Sequence, residues 1–134
     1  MALKLAIVTP ESAGVTVECE EAVVPSVNGE IGLLSQHIAM ISAIQPGVLT
    51  VISGGKRDYY VVGTGFVEID EDQVSILTST FEAVEDIDVE RAKKALDSAT
   101  EKLNTLGPDE PGYVKAEQKA QRARARLDGI ARIN

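Results

Sequence analysis

The sequence predicts an α+β chain, with an N-terminal antiparallel β-sandwich over residues 1–84 followed by a C-terminal antiparallel two-helix hairpin over residues 85–134. Three observations carry that prediction. Short runs rich in Val, Ile, Tyr and Thr fill the first part, and short strands divided by frequent turns build sandwiches or barrels. Beyond residue 85 the apolar residues recur every three or four positions, the spacing of an amphipathic helix. The charge changes at the same boundary: residues 1–84 carry Lys4, Lys56 and Arg57 against eleven carboxylates, whereas residues 85–134 carry ten groups of each sign.

In chain order, the strand-like runs are LKLAIVT, GVTVECEEAVVPS, GVLTVIS, RDYYVVG, GFVEID and QVSILTS, divided by Pro-Glu, Asn-Gly, Pro-Gly, Gly-Gly and Asp-Glu-Asp signals. SGGKRDYYVV reads as a hairpin turning near Gly54 and Gly55. Between the second and third runs lies NGEIGLLSQH, residues 28–37. Two glycines there bracket the lone carboxylate Glu30, and the chain's single histidine, His37, closes the stretch ahead of an apolar segment. Gly29 and Gly32 are expected to give a tight backbone path that exposes Glu30.

The helical part begins with Asp86 or Asp88 as a cap. Ala92, Leu96, Ala99, Leu103 and Leu106 form one apolar stripe, and Gly107 with Pro108 ends the helix. After GPDEPG a second stripe runs through Tyr113, Ala116, Ala120, Ala123, Leu127 and Ile130. Folding the two back about that link pairs Leu106 with Tyr113, Leu103 with Ala116, Ala99 with Ala120, Leu96 with Ala123 and Ala92 with Leu127. So many alanines bury little area, and at roughly 25 cal/mol per Å² the hairpin is expected to be weakly held and able to move.

Composition excludes several function classes. A net charge of −8 argues against a nucleic-acid partner, because binding phosphate backbones needs a basic surface. A lone cysteine, Cys19, cannot form an internal disulfide and is expected to be a small buried hydrophobe. The opening MALKLAIVTPES is too short an apolar run for a secretory signal, and no stretch reaches the roughly 20 apolar residues that span a bilayer, so a soluble intracellular protein is expected. One His and one Cys far apart make neither a zinc site nor a nucleophile with its base, and GTGF lacks the strand-to-helix setting of a phosphate loop. No catalytic residue and no metal ligand is assigned.

VTPES, VPSVNGEIGLL, His37, AIQPGVL, VVGTGFVEI and IDVERA, in that order over essentially the whole chain, resemble the epsilon subunit of the F-type ATP synthase. The resemblance implies a non-catalytic subunit at the foot of the central stalk, or rotor, of a proton- or sodium-translocating enzyme. Its partners would be the gamma subunit and the c-ring of the membrane sector, with the catalytic alpha and beta subunits joining when the hairpin extends. The place implied is peripheral, on the cytoplasmic face of the inner (plasma) membrane, without direct insertion. Glu30 and His37 would lie at the partner interface. For Glu30 docking is the favoured role, whereas for His37 a partner contact and a plain structural role both stand. Relatives in that family often carry Pro-Gly before the histidine and Ala-Pro after it, whereas this chain has Ser35-Gln36 and Ile38-Ala39.

IDVERA is also similar to a motif with which some bacterial epsilon subunits bind ATP, and the resemblance implies a regulatory ATP site at Glu82, Ile87, Asp88, Arg91, Ala92, Arg122 and Arg126. No cofactor is required; the resemblance implies ATP as a regulatory ligand only. In heptad terms Asp88 and Arg126 fall on like flanks that antiparallel packing brings together, with Arg91 and Arg122 each one turn away. A simple Asp88 to Arg126 salt bridge explains the same pattern. Residues 119–132 carry five basic groups against Asp128 alone, so the second helix offers a cationic rod. The resemblance implies that this rod, through Arg122, Arg124 and Arg126, meets acidic surfaces of the catalytic head and inhibits hydrolysis. A competing reading is a free-standing β-sandwich ligand-binding module with a coiled-coil dimerisation tail. An aromatic content of 4% with no Trp counts against it, because such binders commonly present aromatic platforms.

Overall fold

The computed structural model describes residues 2–133. Ten strands appear among them: β1 (Leu3–Thr9), β2 (Ser12–Cys19), β3 (Glu21–Ser26), β4 (Gly29–Leu34), β5 (Met40–Ile44), β6 (Gly47–Ser53), β7 (Lys56–Val62), β8 (Gly65–Asp70), β9 (Gln73–Thr78) and β10 (Phe81–Ala83). A 3-10 turn, Val84–Asp86, leads into helix α1 (Val89–Thr105), and helix α2 (Tyr113–Ile133) follows. The strands run β10-β7-β6-β3-β5-β8-β9-β1-β2, with β4 paired to the free side of β3. The sheet curls on itself so that alternate residues meet in one core, among them Leu3, Leu5, Ile7, Val24, Leu33 and Ile76. Cys19 is buried in it, as expected.

The local turn chemistry acts where the residues allow. Gly54 and Gly55 take φ of +58° and +80°, the paired left-handed residues that let a two-residue loop close β6 onto β7 with Ser53 opposite Lys56. Three strands went unforeseen: β4, β5 and β10. The run GVTVECEEAVVPS is two strands, broken at Glu20. Not every pair is antiparallel. β1 runs parallel to β9, from Lys4 opposite Gln73 to Val8 opposite Leu77, which is possible because no tight turn joins them. Gly32 also differs from expectation, for it lies in the β4 ladder opposite Val23 rather than in a turn. Gly29, at φ +112° and opposite Ser26, is the first residue of β4 after the two-residue turn Val27-Asn28.

Asp88 caps α1, its carboxylate accepting the Arg91 backbone N–H at 3.2 Å. The helices fold back on each other with Ala92, Ala99, Ala116, Ala120 and Ala123 buried along the seam. The opposite side of α2 lies on the outer face of β6 and β7, a side the apolar stripe did not reveal. There Ala125 packs with Val61 and Val84, joined by Tyr59, Ile87 and Ile130. Gly129 sits so close that a Cβ would stand 2.8 Å from Val84 Cγ2 and 3.4 Å from Val61 Cγ2. The result is a layered molecule: sandwich, then α2, then α1 riding on α2.

Candidate functional site

The seam that pairs the helices also sets their flanks. Arg122 and Arg126 are one turn apart on α2, and antiparallel packing brings Arg91 of α1 to the same side. All three line one open cleft of about 290 Å³, together with Lys102 and Lys119. Its floor is Ala95, Ser98 and Ala99, side chains too small to fill the space between the cations. No carboxylate lines it. In a chain of net charge −8 this is a local reversal of sign. Guanidinium forks and ammonium groups around small residues form a receptor for anionic oxygens.

The pairing at the cleft differs from the one the sequence suggested. Arg126 does not bond Asp88, which is occupied as the α1 cap. Its Nε donates instead to Glu82 on β10 at 2.5 Å. Glu82 thus ties the strand that ends the sandwich to the second helix. Ile87 is half-buried against the Val61, Val84 and Ala125 cluster, and Ala92 is buried in the seam, so both shape the base of α1 rather than reach into the cleft. Arg124 lies on the other flank, exposed, beside a hollow lined by Gln45, Gly47 and Asp128.

Residues 28–37 take a different shape from a simple exposed turn. Ser26 donates its hydroxyl to the Gly29 carbonyl at 2.6 Å and accepts the Asn28 N–H at 3.1 Å, closing the β3 to β4 hairpin. Glu30 is exposed but engaged: Arg132, in the last turn of α2, reaches it at 3.4 Å. At the far end, Gln36 adopts φ +68°, the left-handed conformation for which a glycine would be the easy residue. The Asp72 carboxylate holds it there, accepting the Gln36 N–H at 2.7 Å and the Ser35 hydroxyl at 2.9 Å. Those two bonds, the Gln36 one foremost, hold the Asp72 carboxyl below its ordinary range. The loop is thereby set by Ser35 and Gln36 together with Asp72. His37 turns its Nδ1 to the Ile38 carbonyl at 2.7 Å.

Sequence reading missed one surface. Phe66 on β8, Leu77 on β9 and Val8 on β1 stand in register on the outer face of the sheet, exposed by 58%, 51% and 37%. They border an apolar hollow of about 330 Å³ with Pro10 and Gly65. The signal was present in GFVEID and QVSILTS, where outward positions that would ordinarily be polar are Phe and Leu. Contiguous exposed apolar residues mark surfaces that other molecules cover.

The family model for the ATP synthase delta/epsilon chain β-sandwich domain matches residues 2–84, and the one for the delta/epsilon chain long α-helix domain matches residues 85–130. The chain is 39% identical over 127 residues to the ATP synthase epsilon chain of Anaeromyxobacter dehalogenans (strain 2CP-C), covering 95% of this chain and 96% of that one. It is 34% identical to the ATP synthase epsilon chain of Myxococcus xanthus (strain DK1622), over 93% of this chain and 92% of that one. Among solved structures, it resembles a chain in the Euglena gracilis mitochondrial ATP synthase, OSCP/F1/c-ring in rotational state 1. The TM-score is 0.83 at 26% identity, over 99% of this chain and 82% of that one. A chain of the Tetrahymena thermophila mitochondrial ATP synthase central stalk and c-ring shares the fold, with a TM-score of 0.69 at 11% identity over 97% of both chains.

Proposed function

The chain belongs to the ATP synthase delta/epsilon chain family, and on that premise we propose that it is a non-catalytic rotor subunit of a proton- or sodium-translocating F-type ATP synthase. It couples the catalytic head to the c-ring and restrains ATP hydrolysis through its C-terminal helices. The Phe66, Leu77 and Val8 row is the docking face for the gamma subunit, which covers apolar surface that water would otherwise meet. The β4 edge, with Glu30 at its start and His37 just past its finish, faces the polar loops of the c-ring. The subunit sits peripherally on the cytoplasmic face of the inner (plasma) membrane. In keeping with this, no helix among the described residues is long and apolar enough to cross a membrane.

The observation that carries the regulatory part is the composition of the hairpin's buried surface. Every fully buried residue described in α1 and α2 is alanine or glycine: Ala92, Ala99, Ala116, Ala120, Ala123, Ala125 and Gly129. Each buried methyl contributes only about 0.8 kcal/mol, so the compact posture is separated from an extended one by a small free energy. Extended, α2 presents Arg122, Arg124 and Arg126 to acidic surfaces of the alpha and beta subunits and blocks hydrolytic rotation. ATP held by Arg91, Arg122 and Arg126 in the folded hairpin favours the compact state by mass action and releases the restraint when ATP is abundant. Asp88 and Glu82, with Ile87 and Ala92 shaping the base of α1, complete that regulatory site.

The test is reconstitution of the catalytic complex with full-length protein or with residues 86–134 deleted. Hydrolysis at low ATP rises with the deletion while occupancy on the stalk is unchanged. Equal rates at equal occupancy reject the regulatory reading.

A further inference from the structure

We propose that Glu68 is the recognition point of the sandwich's outer face: it binds a basic side chain of the gamma subunit within the apolar contact and so decides which partner surface fits. This rests on the docking reading above. Strand register sets the residues of that face in rows. One row runs Ala43, Phe66, Leu77 and Val8 across β5, β8, β9 and β1. The next runs Ile41, Glu68, Ser75 and Ala6 across the same four strands. Ile41 is 69% exposed, more than Phe66 itself. Glu68 stands two residues along β8 from Phe66, about 7 Å, and directly opposite Ile41 on β5, about 5 Å away. A surface that covers both apolar side chains therefore covers the carboxylate beside them.

Neither row holds a cation of this chain, and Glu68 has neither an ion pair nor a hydrogen bond among the described residues. Water alone satisfies its charge in the free subunit. Docking removes that water, and burying an ionised carboxylate is costly unless a hydrogen-bonded counter-charge takes its place. The third row, with Asp70, Gln73 and Lys4, is polar and forms the rim, so Glu68 lies one row inside it. Ser75 opposite Glu68 and Ala6 beyond it are small, which leaves a trough along which a long basic side chain can lay its stem and bring its charge to the carboxylate. An apolar surface without such a cation is rejected, because it would leave Glu68 buried and unpaired.

The experiment is surface plasmon resonance of the full-length chain on an alpha, beta and gamma complex lacking this subunit, with Phe66→Ala, Glu68→Gln, Glu68→Lys and Asp70→Lys beside the wild type. Phe66→Ala weakens binding and reports on the face itself. Glu68→Gln weakens it by about 30-fold or more, mainly through faster dissociation, because the partner's cation is left buried and unpaired. Glu68→Lys weakens it further by opposing two cations. Asp70→Lys, at the rim, alters the association rate and its salt dependence and shifts affinity by less than about threefold. Melting temperatures of the isolated Glu68 variants stay at the wild-type value, since the side chain has no partner within the chain. Loss with Phe66→Ala but unchanged or tighter binding with Glu68→Gln overturns the pairing and leaves the docking reading intact. Equal losses for Glu68→Lys and Asp70→Lys, a response to surface charge in general, also overturn the pairing. Wild-type affinity for both Phe66→Ala and Glu68→Gln overturns the pairing and the docking reading together.

Discussion

Glu30 on β4 and Arg132 in the last turn of α2 are 102 residues apart in sequence and 3.4 Å apart in space. Arg132 is itself fixed by two bonds of 3.2 Å to Asp128 one turn earlier, so the end of the hairpin and the exposed tip of the sandwich are joined through a single guanidinium. The pair is open to solvent, with the Glu30 side chain 52% exposed. Such pairs contribute at most about 1 kcal/mol. A double-mutant cycle with Glu30→Ala and Arg132→Ala is expected to give a coupling energy below about 1 kcal/mol. Glu30→Lys is expected to shift the melting temperature of the isolated protein little while weakening coupling in the assembled complex. A large loss of fold stability with coupling intact would show that Glu30 serves the fold.

The approach of α2 to the sheet depends on Gly129. Gly129→Leu places atoms where Val84, Val61 and Val48 already stand, and overpacking of this kind costs about 1 to 3 kcal/mol. The sandwich core does not include residue 129, so the strands are expected to stay folded while α2 lifts away. Hydrogen exchange read segment by segment would show faster exchange in α2 with unchanged protection in β6 and β7. Uniform loss of protection would mean that hairpin and sandwich unfold as one unit.

Asp72 makes the loop ahead of His37 sensitive to acid. Its carboxyl is depressed below the ordinary range by the Gln36 N–H and the Ser35 hydroxyl, so the folded protein binds that proton less readily than the unfolded chain. The stabilising contribution is present above the ordinary carboxylate range and is lost as pH falls through the lowered value. Asp72→Asn is expected to lower the urea midpoint at neutral pH, with the gap to the wild type closing in acid. A gap that is constant across pH would assign the effect to geometry alone.

Arg122 and Arg126 separate binding from stability. Arg122 has no carboxylate partner among the described residues, whereas Arg126 bonds Glu82 at 2.5 Å. Arg122→Ala is therefore expected to weaken ATP binding by about 10-fold or more with the melting temperature unchanged. Arg126→Ala weakens binding and also lowers the melting temperature, because it leaves Glu82 half-buried without its cation. Arg132→Ala, outside the cleft, should leave ATP affinity as it is. Calorimetry and thermal melts on the three variants, read together, decide this.

Much of the molecule was legible in the residues. Asp88 caps its helix because an acceptor two or three residues before the first free N–H groups acts locally, and Gly54-Gly55 closes its hairpin for a similarly local reason. The alanine stripes set the seam, and with it the flank on which Arg91, Arg122 and Arg126 meet. Less visible were the short strands β4, β5 and β10, which neighbours impose on residues with little pattern of their own. The second contact face of α2 was hidden too, because Ala125 and Gly129 are small enough to read as neutral on a helix surface.

By itself the sequence determined the order of a strand region followed by two helices with their link, and most of the strands, since caps, turns and periodicity act over a few residues. The tertiary structure alone decided the parallel placement of β1 beside β9, the tie of Asp72 to Ser35 and Gln36, and the choice of Glu82 over Asp88 as the partner of Arg126. It also decided that Glu30 would meet Arg132. These contacts span 36 to 102 positions. Which distant carboxylate a guanidinium meets depends on how α2 lies across the sheet, and that is set by the close packing of Gly129 on valines from three separate elements rather than by any local spacing of charges.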